Sequence, residues 1–322
     1  MRGWPCRSGE AVILLSPDAL NVGAMMHANE IFSDETTTKR LIDEQVPDLA
    51  GLPVKKLETS GTDNALYRVG AEHVMRLPRR PEAVPLLAKE IAWLPHFGGL
   101  PLEVPVVCYT CRASRVFAHD FAVFKWINGE PAAIEAVGNV EQAARDLGGF
   151  LKDLHRVITA GAPAAGSGNH NRGVALGELN EKTYRSIEIL EDEIDAAAAN
   201  ALWLDACHNP FQGPGSWLHG DLKADNMLTR NGRLCAVLDW GLCAVGDPAA
   251  DFAAAWSFVA PEARDAFREA AGADDAQWRR AKGWALYGAV IALSYYRGGK
   301  NEPLCRQCRQ TLKRLGLVRA GG

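Results

Sequence analysis

The stretch that decides the fold is Trp217-Leu218-His219-Gly220-Asp221-Leu222-Lys223-Ala224-Asp225-Asn226-Met227-Leu228, followed shortly by Ala236-Val237-Leu238-Asp239-Trp240-Gly241. Its apolar and polar blocks predict a strand, a polar loop, a strand, a turn and a third strand. The loop has the spacing His-x-Asp-x-x-x-x-Asn, and Asp-x-Gly begins thirteen residues after Asn226. Asp221 and Asn226 therefore stand at the two ends of one loop, and a second carboxylate, Asp239, follows the third strand.

These side chains suit phosphoryl transfer from a nucleotide that carries Mg²⁺. We predict that Asp221 accepts or orients the proton of an acceptor hydroxyl. His219 is also predicted to be a catalytic residue. Asn226 and Asp239 offer the hard oxygen ligands that Mg²⁺ prefers. Lys223 is predicted to neutralise charge on the transferring phosphoryl group, and an exposed loop lysine without a role is the alternative.

The motif resembles the catalytic core of kinase-like phosphotransferases, and His219-Gly220-Asp221 resembles the aminoglycoside phosphotransferase family in particular. The resemblance spans about residues 36–316. It implies an α+β, bilobal, protein-kinase-like fold with a small β-rich N-terminal lobe and a larger, mostly helical C-terminal lobe. We expect residues 29–127 to bind nucleotide, ATP or GTP, and residues 128–322 to hold the catalytic and acceptor sites. Residues 1–28 read as a disordered or wrongly assigned extension, since translation could begin at the Met25-Met26 pair.

An Ala260-Pro261-Glu262 triplet also occurs in protein kinases, but we interpret it here as a coincidence. Between Gly241 and Ala260 the one hydroxyl is Ser257, which lies in a predicted helix rather than an activation loop. Pro261 and Glu262 fit the first turn of the next helix. Gly220, where protein kinases usually have arginine, points the same way.

Composition excludes several functional classes. The 322 residues are 48% hydrophobic and 23% charged, as in an ordinary globular protein. A net charge of −4 argues against a nucleic-acid-binding surface, and no apolar run approaches the ~18 residues of a membrane span. We therefore expect a cytoplasmic protein with reduced cysteines. The spacings Cys108/Cys111 and Cys305/Cys308 leave a four-thiolate zinc site as an alternative.

The region before residue 130 predicts a five-stranded sheet with strands at 53–57, 65–69, 73–77, 104–109 and 121–126. The first two are linked through Ser60-Gly61-Thr62, where small residues around one glycine let backbone N–H groups approach phosphate oxygens. An ordinary hairpin turn is the alternative, but the resemblance implies a loop that covers the nucleotide. The G-x-G-x-x-G of protein kinases is absent.

Further nucleotide contacts are expected at the third strand and after the fifth. Kinase-like enzymes usually have a lysine in the third strand that contacts the phosphates and pairs with a glutamate on the next helix. This chain has Arg76, which we predict to pair with Glu90; a surface position for Glu90 is the alternative. The resemblance also implies that Phe124, Trp126 and Ile127 lie where the lobes connect and contact the adenine edge.

The acceptor is expected beside residues 176–206, which read as helical and acidic. This segment contains eight carboxylates and two cations, so its net charge is −6. A solvated helix face is one interpretation. The resemblance implies another, in which such carboxylates grip the amines of an aminoglycoside-like acceptor. We rank that acceptor first and a neutral sugar or metabolite alcohol second, and a regulatory pseudokinase that only binds nucleotide is a further alternative.

Overall fold

The computed structural model describes residues 30–58, 63–133 and 136–319. The N-terminal extension and the residues Ser60, Gly61 and Thr62 lie outside the described residues, so the predictions made for them stay predictions. Among the described helices, none combines the length and the apolar character needed to cross a membrane.

A five-stranded antiparallel sheet forms the N-terminal part of the described structure, as predicted. Its strands are β1 (Val54–Lys56), β2 (Asn64–Val69), β3 (His73–Pro78), β4 (Val107–Cys111) and β5 (Phe121–Lys125). They are arranged in the order β1-β2-β3-β5-β4. Strand β4 begins later than the predicted position 104 because Glu103 instead exchanges backbone hydrogen bonds with Cys235 and Val237. Pro105, which has no N–H donor, lies between the two pairings.

Two helices flank this sheet. Helix α1 (Glu35–Gln45) begins where the Asp34 carboxylate accepts the N–H of Thr37 at 2.7 Å, a side-chain N-cap. Helix α2 (Ala83–Trp93) continues into a 3₁₀ turn, Leu94–Phe97. Both elements bury one apolar face, and α2 also buries Glu90, which is 1% exposed. A buried carboxylate requires a partner, so its position on α2 matters for the site.

The decisive stretch forms the predicted strand, loop, strand, turn and strand. Its strands, with the two that pair to them, are β6 (Glu130–Pro131), β7 (Ser216–Leu218), β8 (Met227–Arg230), β9 (Arg233–Val237) and β10 (Ala244–Gly246). Strand β7 pairs with β10, and β8 lies between β6 and β9. The β8–β9 turn is Asn231-Gly232, both with positive φ, the conformation that a tight hairpin needs.

Helices make up most of the C-terminal part. They are α3 (Val140–Leu154), α4 (Asn180–Ile189), α5 (Ala196–His208), α6 (Ala249–Phe252), α7 (Ala254–Ser257), α8 (Arg264–Ala271), α9 (Asp275–Tyr296) and α10 (Glu302–Arg314). The acidic segment 176–206 is not helical throughout. It breaks between α4 and α5, where Ile194 forms an isolated bridge with Val318 and Asp195 caps α5.

Two other sequence features can be placed in this fold. Pro261 opens a 3₁₀ turn, Pro261–Ala263, that leads directly into α8, so this triplet belongs to a helix start and not to an activation loop. The two Cys-x-x-Cys pairs do not form one zinc site. Cys111 packs into the core of the N-terminal sheet, whereas Cys305 and Cys308 are buried in the core of the helical part.

Candidate active site

The catalytic loop leaves β7 through a backbone turn that requires glycine. Gly220 has φ +83°, and a Cβ there would lie 2.7 Å from the carbonyl oxygen of Leu242. The loop is held from below by the buried carboxylate of Asp251 on α6. This carboxylate accepts the N–H groups of His219 at 2.7 Å and of Gly220 at 2.8 Å. Glycine at 220 is therefore a steric requirement of this loop.

His219 fixes the loop from inside the protein. Its Nε2 lies 2.8 Å from the carbonyl oxygen of Leu238, and its Nδ1 accepts the N–H of Asp221 at 3.2 Å. These partners assign the proton to Nε2, because a carbonyl can only accept. The imidazole is fully buried, so it cannot touch a substrate. His219 is thus a positioning residue that joins the catalytic loop to the residue before Asp239.

Asp221 presents one free oxygen to the cleft. Its Oδ2 lies 2.8 Å from Nζ of Lys223 and accepts Nδ2 of Asn226 at 3.0 Å. Its Oδ1 accepts no hydrogen bond from the described residues. Burial raises the pKa of Asp221, but the positive charges of Lys223 and Arg172 lower it by more, so the net direction is down. The carboxylate is therefore ionised at neutral pH and can accept a proton or orient a hydroxyl.

Asn226 and Asp239 offer oxygen ligands beside it. Nδ2 of Asn226 also donates to the carbonyl of Asp221 at 2.9 Å, which directs the amide oxygen away from that bond. Asp239 has φ +63°, a conformation rare for residues other than glycine and often found at functional sites. Its carboxylate accepts no hydrogen bond from the described residues. Burial and the charge of Glu90 raise the pKa of Asp239, so a cation here would relieve unfavourable charge. The pair fits Mg²⁺.

Arg76 and Glu90 form the predicted ion pair. Nη1 of Arg76 lies 2.8 Å from each carboxylate oxygen of Glu90, and the guanidinium lies 4.6 Å from the centroid of the Phe124 ring. Glu90 also accepts the backbone N–H of Trp240 at 3.2 Å, immediately beside Asp239. Nη2 of Arg76 has no hydrogen bond within the described residues and reaches solvent. The side chain therefore keeps one donor for a phosphate.

The three residues expected near adenine occupy different environments. Phe124 is fully buried and supports Arg76 from below, so its ring is part of the core. The backbone N–H of Trp126 is already bonded to the carbonyl of Glu72 at 2.7 Å. Ile127 makes no backbone hydrogen bond within the described residues. Of the three, Ile127 is the one whose N–H is free for the edge of a nucleobase.

Two residues near the catalytic loop were not identified from the sequence. Asp251 holds the loop from 31 and 32 residues away along the chain, and a lone carboxylate in the Ala-rich helix α6 was a signal that could have revealed it. Arg172 lies in the segment between α3 and α4 and acts electrostatically on Asp221. Its surroundings, rich in Ala and Gly, gave no such signal.

The sequence model of a protein family, described as "Phosphotransferase enzyme family", matches residues 55–284 of this chain, which is more than half of its length. The chain belongs to the phosphotransferase enzyme family. This match confirms the predicted family.

Solved structures of two phosphotransferases share the fold. Wild-type aminoglycoside 2'-phosphotransferase-IIIa with GDP aligns at a TM-score of 0.68 and 20% identity, covering 88% of this chain and 99% of that one. The macrolide 2'-phosphotransferase of Brachybacterium faecium aligns at 0.58 and 20%, covering 85% and 97%. At this identity the likeness shows the fold alone, and it confirms the α+β, kinase-like architecture.

Two vertebrate relatives match part of the chain. Acyl-CoA dehydrogenase family member 11 of Gallus gallus is 27% identical over 168 residues, which is 50% of this chain and 21% of that protein. Acyl-CoA dehydrogenase family member 10 of Mus musculus is 24% identical over 207 residues, or 60% and 19%. The chain therefore spans about a fifth of these longer proteins.

Proposed function

We propose that this phosphotransferase moves the γ-phosphoryl group of ATP or GTP to a hydroxyl of a small molecule. The observation that carries the proposal is the arrangement at Asp221. One carboxylate oxygen is held by Lys223 and Asn226, the other is open, and Asp239 stands beside them with an unsatisfied carboxylate. Structurally similar aminoglycoside phosphotransferases with GDP, with ADP and with ATP plus streptomycin support a nucleotide donor.

On the donor side, this chain supplies one charged and two neutral contacts. The free Nη2 of Arg76 would bind the α and β phosphates, and the free N–H of Ile127 would bind the nucleobase edge. Ser60, Gly61 and Thr62 remain the predicted cover for the phosphates. When bound, Mg²⁺ neutralises charge on the β and γ phosphates. Asn226 and Asp239 are the residues that would hold it.

On the acceptor side, the open Oδ1 of Asp221 accepts a hydrogen bond from the incoming hydroxyl and then takes its proton. Lys223 lies 2.8 Å from the other oxygen of the same carboxylate, and its ammonium has further donors for an oxygen of the transferring group. Little covalent chemistry is needed from the protein. The rate enhancement comes from alignment and from charge stabilisation, which a loop fixed by His219 and Asp251 supplies.

The acidic segment 176–206 supports an aminoglycoside-like acceptor less strongly than its composition suggests, because three of its carboxylates already have partners. Asp192 and Glu193 are already in ion pairs, with Arg297 and with Arg309 respectively. Asp195 is used as the cap of α5. The remaining carboxylates of the segment are exposed: Glu178, Glu181, Glu188, Glu191 and Asp205. They can steer a cation toward the protein, but we do not propose that an amine is required.

The test is transfer from labelled ATP and GTP to a panel of cationic, neutral and anionic alcohols. Asp221→Asn should lower kcat by ~10²–10⁴-fold, because general-base help is of that size, and should leave Mg-nucleotide affinity unchanged. Asp225→Asn removes an exposed carboxylate from the same loop and is the matched control. Near-full turnover by Asp221→Asn would refute the assignment. Binding of Mg-nucleotide by the wild type without any transfer would favour the pseudokinase.

A further inference from the structure

Arg172 has a backbone that is fixed close to the catalytic loop. It follows the 3₁₀ turn Ser167–Asn169, and the buried Asn169 donates to its carbonyl at 2.7 Å. At the next residue, Gly173, the carbonyl accepts the N–H of Asp247 at 2.8 Å. A Cβ on Gly173 would lie 2.2 Å from Cδ1 of Leu218. Leu218 ends β7, three residues before Asp221, so Arg172 is held near the loop that carries this carboxylate.

The guanidinium of Arg172 is half-buried and makes no hydrogen bond or ion pair within the described residues, although its charge acts on Asp221. It lies 5.6 Å from the centroid of the Tyr287 ring on α9, and its Nη1 lies 3.8 Å from the position of a Cβ on Gly288. Its Nε is buried without a hydrogen bond. The two terminal nitrogens make no hydrogen bond within the described residues and reach solvent. The Nε end of the Arg172 side chain is therefore buried, whereas its two terminal nitrogens are accessible to a ligand.

This environment differs from that of the other buried or half-buried arginines in the described parts of the chain. Most of them pair with a carboxylate: Arg76, Arg79, Arg80, Arg268, Arg280, Arg297 and Arg309. The others donate to backbone carbonyls: Arg68, Arg264 and Arg314. Asp221, the carboxylate on which Arg172 acts electrostatically, is already in direct contact with Lys223. An anion in contact with the guanidinium of Arg172 would supply the charged hydrogen bonds that this group lacks within the described residues.

We propose that Arg172 binds an anionic group, a carboxylate or a phosphate, on the acceptor whose hydroxyl is directed at Asp221. This inference rests on the proposed function and specifies its substrate class. Arginine suits the task because its planar fork matches both groups in two-point fashion. An amine at the same place would instead meet a cation.

The charges nearby support an anion. Burial lowers the pKa of His170, and the charges of Arg172, Arg80 and Lys89 lower it further, while Asp63 acts in the opposite direction. Lys89 also donates from Nζ to the carbonyl of Gly168 at 2.8 Å, which ties α2 to the same segment. Three cations therefore act on His170: Arg172, Lys89 of α2 and Arg80, which follows β3 and is paired with Asp63.

The first experiment measures phosphoryl transfer to hydroxy acids of graded chain length. Each is matched with its neutral primary amide, with an amino alcohol and with an alcohol phosphate monoester. The wild type should prefer the anionic members, and comparison of carboxylates with phosphates identifies which anion is used. Arg172→Met should raise KM for those members by about 10–100-fold, the loss of a hydrogen bond to a charged group. KM for the amides should not change, so the ratio of the two KM values isolates recognition of the anion from any effect of the lost charge on Asp221.

Controls separate this inference from the proposed function. Arg306→Met removes an exposed cation on α10 and should change no kinetic parameter, whereas Arg172→Lys should restore part of the affinity for anionic members. Preference for an amine or an amide, with equal KM values in wild type and Arg172→Met, overturns the inference and leaves the phosphotransferase intact. Failure of the wild type to bind Mg-nucleotide overturns both.

A second measurement does not depend on knowing the acceptor. The buried Nε–H of Arg172 should give a distinct side-chain NMR signal, assigned by its absence in Arg172→Met. Titration of the wild type with acetate and with inorganic phosphate should shift that signal in a saturable way for at least one of the two. A signal that neither anion moves overturns the inference, even where no panel member is phosphorylated.

Discussion

Replacement of Asp251 by asparagine is the sharpest test of how the catalytic loop is held. The carboxylate accepts two backbone N–H groups, at 2.7 Å from His219 and 2.8 Å from Gly220. An amide of the same shape keeps one acceptor and turns a donor toward the second N–H. One buried N–H then loses its partner, which costs ~1–3 kcal/mol of unfolding free energy. The loop also moves away from the new donor, and a shift of ~1 Å at Asp221 lowers turnover by ~10²-fold.

The assay combines chemical denaturation with steady-state kinetics. We expect Asp251→Asn to lose stability and kcat together, while nucleotide affinity measured without Mg²⁺ changes by less than about threefold, because Arg76 is bonded to Glu90 and not to the loop. Asp195→Asn is the control, because that carboxylate also accepts a backbone N–H, from Ala198 at 3.0 Å, but caps α5. A variant that is destabilised yet keeps wild-type kcat would show that Asp251 supports the fold without positioning the loop.

Two other predictions concern single side chains. Lys223→Met should lower kcat by ~10²–10³-fold, as expected for a group that stabilises developing charge, and should leave nucleotide affinity nearly constant. Lys182→Met, which removes an exposed lysine, is the control. Equal kcat values in the two variants would contradict the role of Lys223. Burial against Phe252 lowers the pKa of His155 to about 4. As the pH falls, the unfolded chain therefore binds a proton at this histidine before the folded chain does. The free energy of unfolding should fall by up to about 3 kcal/mol as the pH drops from about 6.5 through about 4. His155→Leu should flatten this acid limb in denaturant titrations, His208→Gln should not, and parallel curves would argue against the buried neutral imidazole.

Local sequence was enough to predict the sheet and the catalytic hairpin. The period-two alternation in β2 and the Asn231-Gly232 turn are encoded by neighbouring residues. The pairing of Arg76 with Glu90 could also be anticipated, because a strand and the helix that follows it bring position 76 near position 90. These features depend on short separations along the chain.

Contacts between distant segments could not be read in this way. Asp247 looked like a helix cap, and it does accept the N–H of Ala249 at 3.1 Å, but both of its oxygens also bind Arg280, 33 residues later. The break between α4 and α5 depends partly on Val318, which pairs with Ile194. The position of Arg172 depends on the contact of Gly173 with Leu218 and on its own contact with Tyr287, and no spacing rule in the sequence predicts these contacts.

The carboxylate of Glu90 is bonded to Arg76 in the sheet and to the N–H of Trp240 beside Asp239. One side chain therefore connects Arg76, the proposed phosphate contact, with the backbone beside Asp239, a proposed metal ligand. We expect that a rearrangement at one of these contacts changes the geometry of the other, which would link the two occupancies reciprocally. Nucleotide and metal should consequently load as a cooperative unit, and substitutions at position 90 should alter the coupling between them as well as each affinity.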